Sequence, residues 1–400
     1  MKRNVLVILP CLLLLVGLTG LFFHFANAHA APASSTQGCN GTWNIVNIPN
    51  PGPYSAQLDA VTAIKADNVW ADGSYLGTNG NTEPLVEQWN GSAWNIIATP
   101  NLGSIESMFS GLTQVPGTNQ LWAVGLYANP NQSNTIQTLT EFWNGTTWSV
   151  VPSPNNGTLM NELYAVSAIS ANDVWAVGNY TDPQTEDSEA LLEHWNGSTW
   201  SIVSGPNPGQ DNFLYAVTAV ASNSVWAVGR FAGGFPGDQT FIVHWNGKQW
   251  SQVSSPNPGS NYNILYSVSA VPGNHHLWAV GYGFDPSQTL TLEKKQGTWQ
   301  VVPDPNPGPM GEWLYGVMAT SPTNAWTVGG YSPDGAIDQT LTEHWNGKAW
   351  KVIPSPSIPS SDNFLLAVSQ VAGSNKTWAV GTYMQNNGNG SEGALVEYYC

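Results

Sequence analysis

The chain has 400 residues, among them 20 Trp, 41 Gly and 28 Pro, with 10 basic residues against 26 acidic ones and a formal charge of −16. So much aromatic and β-branched surface excludes a disordered chain. The cations are too few to neutralise a run of phosphates, so nucleic acid is not expected as a partner.

The chain opens with Met1-Lys2-Arg3, an apolar run from Val5 to Phe23, and then Ala26-Asn27-Ala28-His29-Ala30. A basic start, an apolar core and small residues at a cleavage point read as an export signal over residues 1–30. The apolar run is also near the lower length of a membrane span, so a retained N-terminal anchor is the alternative. Cys11 leaves with the signal, residues 31–38 form a short linker, and residues 39–400 are the folded, secreted or extracytoplasmic part. After cleavage no stable membrane insertion is expected.

The first predicted strand is Trp43-Asn-Ile-Val, and the tryptophan that opens it returns roughly every 50 residues, at Trp94, Trp148, Trp200, Trp250, Trp299 and Trp350. The best-preserved unit reads Leu163-Tyr-Ala-Val-Ser-Ala-Ile, then Asp173-Val-Trp-Ala-Val-Gly, then Leu191-Leu-Glu-His-Trp-Asn-Gly-Ser-Thr-Trp200-Ser-Ile-Val. These are four short strands, with the third and fourth joined across an Asn-Gly turn. First strands recur from Leu58, Phe109, Leu163, Leu214, Leu265, Leu314 and Leu365, and second strands around Trp70, Trp122, Trp175, Trp226, Trp278, Trp326 and Trp378. Third strands end at Trp89, Trp143, Trp195, Trp245 and Trp345, with Lys295 and Tyr399 in the equivalent places. All but one of the 20 Trp fall in these columns, and Trp313 is the exception.

First and second strands are apolar at neighbouring as well as alternate positions, so both faces of each sheet must be covered, as radial stacking of blades does. The Pro-rich stretches Pro152-Ser-Pro, Pro206-Asn-Pro-Gly and Pro256-Asn-Pro-Gly carry the chain to the next blade. The chain starts with a fourth strand alone and finishes with a first, second and third strand at Leu365–Val371, Thr377–Gly381 and Ala394–Tyr399. The reading is an all-β, seven-bladed β-propeller of four antiparallel strands per blade, its last blade closed by the N-terminal strand. Cys39 and Cys400 are the two cysteines left after signal removal, and they flank the point where the chain is cut within a hairpin. Export permits a disulfide between them that locks the ring.

The repeated Trp-Asn-Gly-x-x-Trp, Ser-Pro-Asn-Pro-Gly and Asp-Val-Trp-Ala-Val-Gly segments resemble a bacterial extracellular propeller repeat, across residues 39–400. In rhythm the chain is also similar to tectonin-type propellers and to seven-bladed bacterial lectins, a resemblance that implies sugar binding between blades. Sialidase-like propellers hold their substrate with three arginines, whereas only Arg230 follows the signal here. A copper-radical oxidase would need a Tyr cross-linked to a Cys, and Cys39 and Cys400 are assigned elsewhere.

Glu87, Glu141, Glu193, Glu293, Glu343 and Glu397 stand two residues before the third-strand Trp or its substitute, with Val243 in the remaining place. Such carboxylates need hydrogen-bond donors if half-buried, and otherwise offer a ring of acceptors for sugar hydroxyls beside aromatic platforms. The ligand-binding candidates are therefore Trp313, Trp89, Trp143, Trp195, Trp245 and Trp345 with Glu87, Glu141, Glu193 and Glu343. His194, His244 and His344 occur once per blade, too far apart for a shared metal, and His275-His276 lacks a third ligand, so no metal and no cofactor are expected. The long, irregular connections between second and third strands are the places for recognition. Together these observations point to a non-catalytic recognition module for carbohydrate or an extracellular protein. A polysaccharide lyase or glycoside hydrolase using loop acids is the alternative, and a purely structural surface protein a third reading.

Overall fold

A computed structural model describes residues 40–400 except 53, 101, 131–134, 235–236, 274, 285–286, 296, 309–310 and 387–391. Gly38–Cys400 is one compact unit. Its strands, β1 to β28 in chain order, make seven four-stranded antiparallel sheets. In blade 1 these are β2 (Ala56–Lys65), β3 (Asn68–Leu76), β4 (Thr82–Trp89) and β5 (Trp94–Ile96), hydrogen-bonded in that order. Blades 2 to 6 repeat the order from β6 (Ser107–Gln114), β10 (Asn161–Ser170), β14 (Asn212–Ala221), β18 (Tyr262–Ala270) and β22 (Glu312–Ser321). Blade 7 takes β26 (Ser361–Gln370), β27 (Thr377–Gln385) and β28 (Glu392–Tyr399) and receives β1 (Trp43–Ile45) as its fourth strand. Trp43 lies opposite Tyr399, and Ile45 opposite Glu397. First strands of successive blades pack on each other, and β26 packs on β2, which closes the ring. The expected seven-bladed propeller with a shared last blade is what forms.

The repeat motifs account for the local geometry. In blade 3 the Asn196 Oδ1 accepts from the N–H groups of Ser198 and Thr199 at 2.9 and 3.0 Å, while Gly197 takes φ 95°. That turn sets Trp195 opposite Trp200. The Asn of the Pro-Asn connection turns back on its own blade: Asn207 and Asn257 accept from the N–H groups of Ala190 and Thr240 at 2.8 and 2.7 Å. Seven apolar clusters fill the wedges between blades, and each draws on two neighbours. Val177 and Leu192 of blade 3 pack with Leu214, Val217 and Phe241 of blade 4. Trp378, Val380 and Val396 of blade 7 pack in the same way on Leu58, Val61 and Leu85 of blade 1. The closing wedge is therefore built like the others.

One strand assignment is corrected. In blade 5 Lys294, not Lys295, lies opposite Trp299, because the hairpin keeps the five-residue step between the two positions found in the other blades. Leu292 thus takes the position held by Glu in other blades, and Glu293 falls in the histidine column opposite Trp278. At the seam Gly41 N donates to Cys400 O at 2.6 Å, and Cys400 is disulfide-bonded. Cys39 lies outside the described residues, as do the export signal and linker, and no bond to it is described.

Candidate functional site

Period-two alternation cannot place Leu163 and Val166 on one face, yet both belong to the same apolar cluster. A β-bulge reconciles them. In every blade the pairing of first and second strands slips after the leading Leu or Phe, between Leu58 and Ala60, Phe109 and Gly111, Leu163 and Ala165, Leu214 and Ala216, Leu265 and Ser267, Leu314 and Gly316, and Leu365 and Ala367. The bulge needs a glycine opposite it: a Cβ on Gly178 would sit 1.9 Å from the carbonyl oxygen of Glu162. Bulges re-aim side chains, and this one recurs around the ring.

The re-aimed residues are Asp59, Ser110, Tyr164, Tyr215, Tyr266, Tyr315 and Leu366, in blade order. The four tyrosines are in ring contact, with centroids 5.5, 5.5 and 5.2 Å apart from Tyr164 to Tyr315. Burial raises the Tyr215, Tyr266 and Tyr315 hydroxyls above their ordinary range, so they stay protonated. Beside them the residues that start the first strands supply more aromatic surface: Phe213, Trp313 and Phe364. Trp313, half-buried, lies 6.2 Å from Tyr282 and 6.4 Å from Phe364. Arg230 stacks on Phe213 at 4.4 Å, donates to the Tyr215 hydroxyl at 3.1 Å and pairs with Asp238 at 2.6 Å.

The other side of the same ring end is acidic. Glu162 is buried and accepts from the Tyr164 hydroxyl. Burial, against that bond and with Glu106 adding, pushes it to about 7. Asp59 is likewise pushed to about 7 by burial, opposed by Gln57 and reinforced by Glu392. Burial holds Asp72 well above the carboxylate range, and Asp59 adds to it. The ring end thus carries most of its aromatics on blades 4 to 7 and a run of raised carboxyls from blade 7 to blade 3, with Glu312 of blade 6 a buried carboxyl among the aromatics.

The residues singled out from the sequence are mostly elsewhere. Glu87, Glu141, Glu193, Glu343 and Glu397 are all 0% exposed. Neither oxygen of Glu87, Glu141, Glu343 or Glu397 has a hydrogen-bond partner among the described residues, and Glu193 lies beside Ser153. Burial raises Glu87 and Glu141 to about 8 and the other three well above their usual range, so these carboxyls are neutral. They are sealed from any sugar. Trp195 packs on Trp122 of the preceding blade at 5.0 Å and on Trp200 at 5.8 Å. Trp89, Trp143, Trp245 and Trp345 make the same inter-blade contact with Trp378, Trp70, Trp175 and Trp278. The indole N–H of Trp89, Trp195, Trp245 and Trp345 donates to a backbone carbonyl at 3.1 to 3.2 Å. His194, His244 and His344 lie against the second-strand indoles, with ring centroids 4.4, 4.0 and 4.6 Å apart. His276 pairs with Glu293 at 2.7 Å, and His275 is exposed. Only Trp313 belongs to the ring end. Among the described residues no group of three or more His, Cys, Asp or Glu is placed to hold a metal, and no helix is long and apolar enough to cross a membrane.

Fold and site define a β-propeller with one chemically divided end. No protein-family model and no curated protein matches the chain. Among solved structures it is similar to YCF48 bound to D1 peptide, with a TM-score of 0.56 at 12% identity over 90% of this chain and 96% of that one. YCF48 from Cyanidioschyzon merolae gives 0.52 at 14% identity over 90% and 98%. U3-55K gives 0.52 at 9% identity over the same shares. At these identities the likeness is one of fold. It shows a seven-bladed β-propeller fold such as YCF48 has, and it supports no specific tie to a Trp-rich bacterial or lectin-type family. The carbohydrate-binding, lectin-like expectation is corrected: its carboxyls are buried and its indoles are engaged between blades. The exclusion of nucleic acid as a partner is withdrawn too, since this ring of blades is shared with U3-55K and carries no such exclusion.

Proposed function

We propose that the chain is a non-catalytic scaffold that holds a segment of another protein across the divided end of the ring. The observation that carries this reading is the bulge ring with its flanking aromatic arc: Phe213, Trp313 and Phe364 are set on the rigid starts of inner strands, with the run of buried carboxyls on the other blades. A rigid frame presenting a half-buried indole at a ring centre has the composition of a binding hot spot, enriched in aromatics and ringed by polar groups. The likeness to YCF48 bound to D1 peptide supports a peptide as occupant. Export with removal of residues 1–30 completes the reading and rests on the basic start, apolar run and small residues of that segment.

Panning a random-peptide display library over the immobilised chain tests it. Enriched peptides should lose about 2 kcal/mol, roughly thirtyfold in Kd, on Trp313→Ala. Trp195→Ala, in a repeat hairpin, should lower Tm and leave the affinity of the folded fraction unchanged. Failure to enrich any peptide over an unfolded control, or peptides indifferent to Trp313→Ala, would remove this reading.

A further inference from the structure

Blade 1 departs from the other six at two adjoining positions. In the second strand the residue after Trp-Ala is Val124, Val177, Val228, Val280, Val380 and, after Trp-Thr, Val328, all buried against the next blade; in blade 1 it is Asp72. The side chain is 0% exposed, and neither oxygen has a hydrogen-bond partner among the described residues. In the first strand Asp59 is the bulge residue, where four other blades carry tyrosine. The bulge sets the two side by side, since Ala60 lies opposite Asp72 and Leu58 opposite Gly73. The next bulge residue, Ser110, is short, so the line of bulge side chains has its gap beside Asp59 and resumes at Tyr164.

The neighbourhood is rich in acceptors and lacks a counter-charge. Gln57 Nε2 donates to both Asp59 oxygens at 3.2 and 3.1 Å, and Thr382 Oγ1 donates to Glu392 at 2.9 Å. Among the described residues Asp59, Asp72 and Glu392 have no basic partner: Lys65 pairs with Asp67, and Arg230 with Asp238 on blade 4. An apolar wedge position filled by an unpaired carboxyl costs stability unless something of opposite charge arrives. We propose that the partly exposed Asp59, backed by the buried Asp72 and standing beside the gap left by Ser110, is a cation subsite that takes the ammonium or guanidinium group of a lysine or arginine from the bound protein segment. The proposal rests on the reading of the ring end as a protein-binding surface and names the chemistry of its deepest contact. A side-chain cation fits better than a metal ion, because two carboxyls and an amide leave a metal under-ligated and no cluster of three metal-ligating side chains is present among the described residues.

The test uses the chain labelled with 13C at aspartate carboxyls, titrated with n-butylammonium chloride or methylguanidinium chloride against sodium chloride at matched ionic strength. Saturable shifts of the Asp59 and Asp72 carboxyl resonances are expected, with their titration midpoints moved down by at least one pH unit. Asp72→Val should abolish the response and raise Tm, because it restores the residue that the other six blades carry. Absence of a saturable shift, an undiminished response in Asp72→Val, a response to calcium chloride alone, or a lowered Tm in Asp72→Val would each overturn the subsite. The probes are too small to span the ring end, so their failure removes the subsite alone, whereas failure of the peptide selection removes the wider reading.

Discussion

At the scale of single residues, five neutral glutamates set how stability depends on pH. Glu87 and Glu141 titrate near 8 in the folded chain through burial, far above an unfolded glutamate. Between roughly pH 4.5 and 8 the native state therefore binds more protons than the unfolded state, and stability falls as pH rises through that window. Asp59, Glu162 and Glu312, each raised to about 7 by burial first, act in the same direction over a narrower range. His244 and His344, lowered by burial, act oppositely below about 6.5 and are fewer. Denaturant midpoints should thus be higher at pH 5 than at pH 8. Glu141→Gln, neutral at every pH, should flatten the decline by about 1.4 kcal/mol per pH unit. A midpoint that rises between pH 5 and 8 would contradict this assignment. The sequence gives away the glutamate column but not its protonation, which follows from how completely the next blade covers it. Asp59 and Asp72 were legible as departures from their columns; attention to residues that repeat passes over the two that do not.

At the scale of elements, the bulge explains the glycine that recurs within each second strand. A Cβ on Gly178 meets backbone at 1.9 Å, with no flexible side chain to give way. Gly145 has φ 105° at a hairpin tip with nothing within 4 Å. Gly178→Ala should cost about 3 kcal/mol or more, through a forced backbone shift, and Gly145→Ala about 1 kcal/mol, through φ alone. Thermal unfolding of both variants checks the order, and a reversed order would show that the bulge does not constrain the strand. The bulge itself was half legible. Leu-x-x-Val in the first strand puts two core residues an odd number of positions apart, which strict alternation forbids, and the apolar neighbours recorded the bulge without revealing where the extra residue points. The Asn-Gly hairpins and the third-strand ends were legible, because Trp and turn residues fix them chemically, whereas the strands run up to four residues beyond the apolar cores that marked them, as at Ser361–Gln370 and Thr377–Gln385. The exception is blade 5, where Lys294 replaces the marker tryptophan and the register must be counted from Trp299.

At the scale of the molecule, seven near-identical wedges make a ring, and the proposed binding end is where the repeats stop being identical. Blade number and closure could be read from the sequence because each blade carries its own packing signature, and the divided last blade supplies the missing strand. Which end of the ring is chemically distinct could not be read, since Glu162, Asp59, Trp313 and Arg230 come from blades far apart in sequence and meet only around the axis. The central claim is that this end holds a protein segment. Hydrogen–deuterium exchange of the chain with and without its tightest selected peptide tests that most directly. Protection is predicted at the starts of β2, β10, β14, β22 and β26 and in the adjoining ends of β3 and β27, with the Asn-Gly hairpins unchanged. Protection confined to those hairpins or to the outer strands β1 and β5 would contradict it.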